Sequence, residues 1–179
     1  REDYAEKARY LSVFGMTAAW DREKNDSLVI PEFYDVGYNY KMSDITAAVG
    51  VAQMRKLDAI ISRKRELAGY WNEKLDQIDQ VERPVVSEGA EHIYQAYVAR
   101  VGSSISRNRL IETMMKKGVQ TQIGTYSSHV QPVYRSADRC PRSLEVFNTA
   151  LALPMYYDLK ETDIDIAANA LKESVDELK

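Results

Sequence analysis

A helical pattern between residues 43 and 79 is the feature that most constrains the fold of this chain. Ser43 suits an N-cap, and Asp44 suits the first turn of a helix. An unbroken helix of that length would run roughly 55 Å at about 1.5 Å per residue. We therefore predict a bend or break near residues 58–64, although no proline marks one. The apolar positions of the pattern are Ile45, Val49, Ala52, Leu57, Ile60, Ile61, Leu67, Tyr70, Trp71, Leu75 and Ile78.

The segments on either side of this pattern predict an α/β or α+β unit in which helices cover a small sheet. Residues 2–14 have helical spacing and Gly15 follows as a stop, whereas Pro31 makes the run LVIPEFY an edge strand or an extended loop. After residue 90, strands and helices alternate. We predict strands at 92–102, 119–126 and 150–154, and helices at 107–118 after the cap Ser106, at 142–150, and at the end of the chain after the cap Thr162.

Composition excludes several classes of protein. The 179 residues carry 24 Lys and Arg against 27 Asp and Glu, a net charge of −3, which is unlike a protein that grips nucleic acid. No apolar run of about 18 residues predicts a membrane span. The single cysteine, Cys140, rules out an internal disulfide framework and fits a reducing compartment, so we expect a cytoplasmic protein. The chain opens on Arg1 directly in a helical pattern, which is typical of a piece of a longer protein.

Common catalytic and metal-binding patterns find little support. Cys140 lies in the polar stretch SADRCPRS, so an inert surface or packing cysteine is favoured over a nucleophile served by His92 or His129. These three residues also lack the spacing of metal ligands, and no glycine-rich phosphate loop occurs. The basic residues between Arg55 and Arg65 alternate with acidic ones, which favours a solvated helix face.

Two segments are not explained by folding alone. GYNYKMSD, residues 37–44, precedes a capped helix, where free backbone N–H groups and Lys41 favour an anion. An equally good interpretation is a turn in which Asn39 tolerates an unusual backbone angle and the tyrosine rings pack. TYSSHVQPVYR, residues 125–135, is a polar and aromatic loop after a strand, of a kind that lines ligand sites but also occurs on ordinary surfaces.

These segments resemble the DegT/DnrJ/EryC1/StrS sugar aminotransferases. Residues 37–58 are similar to the family's Gly-Tyr-Asn-Tyr-Arg-Met-type stretch, residues 118–135 to its later loop with His-x-Gln-Pro, and residues 151–164 to its closing Leu-Pro-x-Tyr segment. The order and spacing of all three match. The resemblance implies the C-terminal part of the aspartate-aminotransferase-like fold, a type I pyridoxal-phosphate fold, with a long helix followed by a small sheet covered by helices.

The resemblance also implies an activity and a set of site residues. The family uses pyridoxal 5'-phosphate to transfer an amino group, usually from glutamate, to a nucleotide-linked keto-sugar, as in the biosynthesis of cell-surface polysaccharides. Asn39 and Lys41 are implied to contact the cofactor phosphate of the partner subunit in a homodimer, although Lys41 stands where arginine is common. Tyr126 and His129 are implied to border the nucleotide-sugar pocket, although Ser127 and Ser128 replace the more usual Pro-Leu before the histidine.

The cofactor's lysine and its aspartate partner are implied to lie upstream of this chain. We therefore expect residues 1–42 to be the remnant that follows a missing large domain, and residues 43–179 to form a long interface helix and a small α/β domain. On this view the chain alone has no transaminase activity, and it contributes no catalytic residue and no metal ligand. The alternative is a free-standing binding or oligomerisation module derived from the small domain.

Overall fold

The computed structural model describes residues 2–16, 32–134 and 137–179. They form two compact units, residues 1–55 and residues 56–179. The elements in chain order are helices α1 (Glu2–Leu11), α2 (Asp44–Met54) and α3 (Leu57–Leu75), strands β1 (Val81–Glu82) and β2 (Tyr97–Val101), helix α4 (Arg107–Lys116), strand β3 (Gln122–Ile123), helix α5 (Pro141–Thr149), strand β4 (Ala150–Leu153) and helix α6 (Glu161–Leu178). Residues 28–31 of the predicted LVIPEFY strand lie outside the described residues.

The long helical pattern is interrupted, as predicted, but earlier in the chain. Helix α2 ends at Met54 and α3 begins at Leu57, so the break lies just before the stretch 58–64 that we expected to bend. The predicted cap of α2 is confirmed, because the Ser43 Oγ accepts a hydrogen bond of 3.3 Å from the backbone N–H of Thr46. Within its own unit α2 buries no side chain, whereas α3 buries Leu67, Ala68, Trp71 and Leu75.

The second unit is built on a four-stranded antiparallel sheet. Its strand order is β1-β2-β4-β3, with Tyr97 opposite Leu153 and Ile123 opposite Leu151. Alternate residues of β2 are fully buried and contribute to one apolar core with α3, α4 and α6. The two interpretations left open by the sequence are thereby resolved in favour of an α+β unit, because every described strand pair is antiparallel.

Several predicted boundaries were wrong by a few residues. The final helix takes its N-cap at Lys160 rather than Thr162, since the Asp163 carboxylate accepts the Lys160 backbone N–H at 3.2 Å. The predicted strand at 92–102 is confined to Tyr97–Val101, because Tyr94 has a φ of 47° that a strand does not tolerate. The strand predicted at 119–126 forms ladder pairs only at Gln122–Ile123, and the helix predicted at 142–150 spans Pro141–Thr149, with Ala150 already in β4.

Aromatic side chains with polar tips join α3 to the sheet and to the turn before α6. The fully buried Trp71 donates its Nε1–H to the carbonyl of Pro154 at 3.1 Å, and its ring stacks on Tyr97. The Tyr97 hydroxyl donates to the Asn72 Oδ1 at 2.6 Å, and burial raises the pKa of this phenol. No helix in the described ranges is long and apolar enough to cross a bilayer.

Candidate functional site

Two glycines shape the segment that carries Asn39 and Lys41. Gly15 has a φ of 69°, and a Cβ on it would lie 2.1 Å from the carbonyl oxygen of Asp35. A Cβ on Gly37 would lie 1.9 Å from the backbone nitrogen of Gly15. Both contacts are shorter than any side chain allows, so the two stretches of backbone approach this closely only because both positions are glycine.

Backbone hydrogen bonds then hold residues 38–40 against the end of α1. The N–H of Tyr38 donates to the carbonyl of Leu11 at 2.7 Å, and the N–H of Tyr40 donates to that of Ser12 at 3.0 Å. Between them, Asn39 forms an antiparallel bridge with Val13, whose side chain is buried. The backbone that presents the candidate phosphate contacts is therefore fixed by α1, three residues before the cap of α2.

The side chains of this segment face outwards and offer hydrogen-bond donors. Asn39 and Lys41 are exposed, and the Lys41 Nζ lies 5.0 Å from the centroid of the Phe14 ring. The rings of Tyr38 and Tyr40 stack in parallel with their centroids 5.1 Å apart. An amide, an ammonium group and phenol hydroxyls beside the N-terminus of α2 form a donor set suited to a phosphate group. The roles of Asn39 and Lys41 remain predictions.

The second pair of predicted residues lies on the loop after β3. Gly124 begins this loop, and its N–H donates to the carbonyl of Ala150 at 3.0 Å. A Cβ on Gly124 would lie 2.5 Å from a methyl group of Val98, so glycine is needed for the loop to leave the sheet here. Tyr126 is exposed and its ring contacts Phe147 at 6.1 Å between centroids, whereas His129 is half-buried.

Tyr126 and His129 line the same surface depression, and their role towards a ligand remains a prediction. The depression has a volume of about 490 Å³. Its lining combines aromatic side chains with hydroxyl, imidazole and carboxyl groups. This mixture suits a sugar, because the aromatic side chains pack against the apolar C–H face of the sugar and the polar groups form hydrogen bonds with its hydroxyls. The residues that line it are Tyr126, Ser128, His129, Tyr134, Asp138, Cys140 and Ser143.

Sequence reasoning missed two serines that hold this loop. The Ser127 side chain is fully buried, and its Oγ lies 2.8 Å from the His129 Nδ1 and 2.9 Å from the Ser143 Oγ. Ser143 belongs to the first turn of α5, so the three residues connect the loop to that helix. A signal was present in the sequence, since a serine two residues before a histidine in a tight turn can reach its ring.

A buried arginine fixes the other end of α5. The Arg107 guanidinium donates to the carbonyl of Phe147 at 2.8 Å and lies over the Phe147 ring at 5.6 Å. Burial lowers the pKa of Arg107. Phe147 also contacts the ring of Tyr126, which lines the depression. Arg107 therefore supports Tyr126 through Phe147.

The other candidates weighed from the sequence have structural partners. The Nδ1 of His92 accepts the backbone N–H of Tyr94 at 2.8 Å. On α3, Arg63 pairs with Glu66 and Arg65 with Glu91, in agreement with a solvated helix face. Among the described residues, no three His, Cys, Asp or Glu side chains gather as metal ligands would. Asn39 and Lys41 belong to the first unit and Tyr126 and His129 to the second.

Comparisons with known proteins agree with the resemblance. The chain is 28% identical to the spore coat polysaccharide biosynthesis protein SpsC of Bacillus subtilis, over 97% of this chain and 47% of that protein. Its fold matches the sugar aminotransferase Spr1654 of Streptococcus pneumoniae in the PMP form, with a TM-score of 0.85, 17% identity, and coverage of 99% of this chain and 46% of that one. The aminotransferase TlmJ of Streptoalloteichus hindustanus gives a TM-score of 0.82 at 23% identity, over 99% and 46% of the two chains.

The structural matches establish the fold. The chain spans about half the length of the relatives it matches. The predicted fold class is confirmed, since matches to aminotransferase structures that cover 99% of this chain have TM-scores of 0.82 and 0.85. The model of the DegT/DnrJ/EryC1/StrS aminotransferase family matches residues 1–172. The chain therefore belongs to the DegT/DnrJ/EryC1/StrS aminotransferase family.

Proposed function

We propose that this chain forms part of a pyridoxal-phosphate-dependent aminotransferase that moves an amino group, from glutamate, onto a nucleotide-linked keto-sugar. In this proposal the segment at 37–42 contacts the cofactor phosphate and the loop at 125–131 contacts the sugar nucleotide. We expect the lysine that holds the cofactor to lie outside this chain, which covers 47% and 46% of the length of two relatives. The match to the family over residues 1–172 supports the reaction class.

The observation that carries the proposal is the construction of the segment around Asn39. Two glycine contacts and an antiparallel bridge to Val13 fix its backbone, yet Asn39 and Lys41 extend into solvent. A surface turn has no need of such close backbone packing, whereas a phosphate contact needs donors in a fixed position. This arrangement supports the phosphate interpretation over the turn interpretation that the sequence left equally open.

The residues present fit the phosphate end of the cofactor. When bound, pyridoxal phosphate supplies the electron sink for amino-group transfer. Asn39 would donate its amide N–H to a phosphate oxygen, and Lys41 would neutralise charge without the bidentate geometry of arginine. Two lysines of this chain have other contacts: Lys64 donates to the carbonyl of Gln95 at 3.1 Å, and Lys41 lies over the ring of Phe14. Neither has the partners that a covalent attachment site needs.

We also propose that α2 contributes to a homodimer. Its exposed apolar side chains include Ile45, Val49 and Met54, with 82%, 58% and 65% of their surfaces accessible. Exposed side chains of this size on one short helix are typical of a surface that another protein covers. A homodimer would allow Asn39 of one subunit to serve the cofactor phosphate of the other.

The test is reductive trapping of the cofactor. We expect this chain, mixed with pyridoxal phosphate and treated with borohydride, to show no single modified lysine by peptide mass spectrometry. The natural gene, expressed with whatever coding sequence precedes residue 1, should yield one labelled lysine upstream of this chain and should aminate a nucleotide-linked keto-sugar with glutamate.

In that longer protein, Asn39→Ala should weaken cofactor binding by about tenfold, the effect of losing one hydrogen bond to a charged group. Asn108→Ala, which alters an exposed asparagine at the start of α4, is the matched control and should leave cofactor binding unchanged. A single labelled lysine within this chain, or full cofactor affinity in Asn39→Ala, would contradict the proposal. An open reading frame that starts immediately before Arg1 would favour the non-catalytic module instead.

A further inference from the structure

The side chain of Ser127 contacts the His129 ring and the first turn of α5. Ser127 is fully buried, and its one hydroxyl contacts both the His129 Nδ1 at 2.8 Å and the Ser143 Oγ at 2.9 Å. Its carbonyl also accepts the Gln131 side-chain N–H at 3.2 Å, which holds the turn closed. Because water does not reach the Ser127 side chain, its hydroxyl hydrogen is directed to one of these two partners.

The position of Ser143 decides that direction. Ser143 lies in the first turn of α5, where the helix N-terminus carries partial positive charge and stabilises oxygen lone pairs. Its hydrogen is therefore directed away from the helix, towards the Ser127 Oγ. With Ser143 as the donor, Ser127 would accept this bond and would donate its own hydrogen to the His129 Nδ1. In this arrangement both hydroxyl hydrogens are used, and the neutral imidazole carries its proton on Nε2.

We propose that Ser127 is a positioning residue that holds neutral His129 as an Nε2–H donor facing the depression that Tyr126, His129 and Tyr134 line. A ring fixed in this way offers a hydrogen-bond donor to a carbonyl or hydroxyl oxygen, the groups that a keto-sugar presents. The inference rests on the proposed function only for the identity of that oxygen. The tautomer and its cause follow from contacts within this chain.

Nitrogen NMR of the histidine rings tests the tautomer directly. The chain has two histidines, so two ring systems appear in a long-range proton–nitrogen spectrum recorded well above the ordinary imidazole pKa of about 6.5. We expect a pyridine-type signal for the His129 Nδ1 and a pyrrole-type signal for Nε2. His92 is an internal reference, because its Nδ1 accepts the Tyr94 N–H, which requires the same tautomer.

Three single substitutions separate positioning from general packing. Ser127→Ala removes the donor to Nδ1 and should shift the His129 tautomer ratio about fivefold towards the form with the proton on Nδ1, the effect of one ordinary hydrogen bond. Ser143→Ala should cause a smaller shift in the same direction. Ser128→Ala, the same change at the exposed neighbouring serine, should leave the ratio unchanged. Unaltered His92 signals would show that each variant is folded.

A pyrrole-type signal at the His129 Nδ1 in the unsubstituted chain would overturn the proposal, as would an unchanged ratio in Ser127→Ala. A separate titration with UDP-glucose addresses the ligand. If UDP-glucose moves the His129 Nε2 signal in the unsubstituted chain and moves it less in Ser127→Ala, the donor role is supported. If the tautomer responds to Ser127→Ala but UDP-glucose moves no signal, the positioning stands and the proposed sugar contact fails.

Discussion

Gly124 offers a sharp test of how the substrate loop is attached to the sheet. In Gly124→Ala, the added methyl group would lie 2.5 Å from the Val98 Cγ1, 2.9 Å from the Ala150 Cβ and 3.1 Å from the Ala150 carbonyl carbon. All three atoms belong to the two central strands, β2 and β4, so none is the free end of a flexible side chain. The strands must separate or the loop must lift.

Overpacking of this kind costs about 1–3 kcal/mol, and for a chain of this length each kcal/mol lowers Tm by roughly 2–4 °C. We therefore expect Gly124→Ala to melt about 4–8 °C below the parent chain, for a cost near 2 kcal/mol. The loss of the flexible backbone in the unfolded state offsets less than about 1 kcal/mol of this.

Gly69→Ala is the matched control, because it adds the same methyl group at a position where no neighbouring atom would be in contact with it. Gly69 is exposed within α3, and a Cβ there would meet nothing within 4 Å. Alanine favours a helix interior over glycine by about 1 kcal/mol, so Gly69→Ala should raise Tm by roughly 2–4 °C.

Thermal and urea unfolding, followed by far-UV circular dichroism, would measure both variants. We expect Tm and the urea midpoint to fall in Gly124→Ala and to rise in Gly69→Ala. If Gly124→Ala were as stable as the parent chain, or if both variants moved in the same direction, the close approach of the loop to Val98 and Ala150 would be wrong.

Two further predictions concern charge and association. Asp165 accepts hydrogen bonds from Lys74 at 2.5 Å and Tyr70 at 2.8 Å, and these lower its pKa, the lysine more than the tyrosine. The stabilisation that Asp165 gives the folded chain is thus present above the ordinary carboxyl pKa of about 4 and is lost as pH falls through the lowered value. The urea midpoint of Asp165→Asn should therefore vary less with pH, in the acid range, than that of the parent chain. Ile45→Asp should shift the chain towards monomer mass in gel filtration if α2 is a dimer surface, since Ile45 is 82% exposed and aspartate suits a first turn. Val85→Asp, at a position 91% exposed in the second unit, should not; equal effects of the two would argue against a specific surface on α2.

The order of elements was predictable from the sequence because each depends on local patterns. Ser43 and Ser106 cap the helices that follow them, and the apolar run at 150–154 forms β4 because a continuous apolar stretch suits a central strand. Asn39, Lys41, Tyr126 and His129 were named as candidates from the family resemblance, and their roles remain predictions. Asn39 and Lys41 are two residues apart in the sequence, and Tyr126 and His129 are three residues apart, so each pair lies on one short segment whatever the tertiary fold.

Tertiary structure decided what depends on contacts between distant residues. The strand order β1-β2-β4-β3 depends on which surfaces are buried together. Tyr94, whose φ is 47°, precedes the short strand β2, and Gly124 follows β3 directly. The contact of Ser127 with Ser143, sixteen residues apart, depends on the path that the chain takes back to α5. Local sequence determines which side chains are available and where helices begin, because propensity and capping act over a few residues. It cannot determine which side chains meet, because the free energy of burial depends on all the surfaces that the fold brings together.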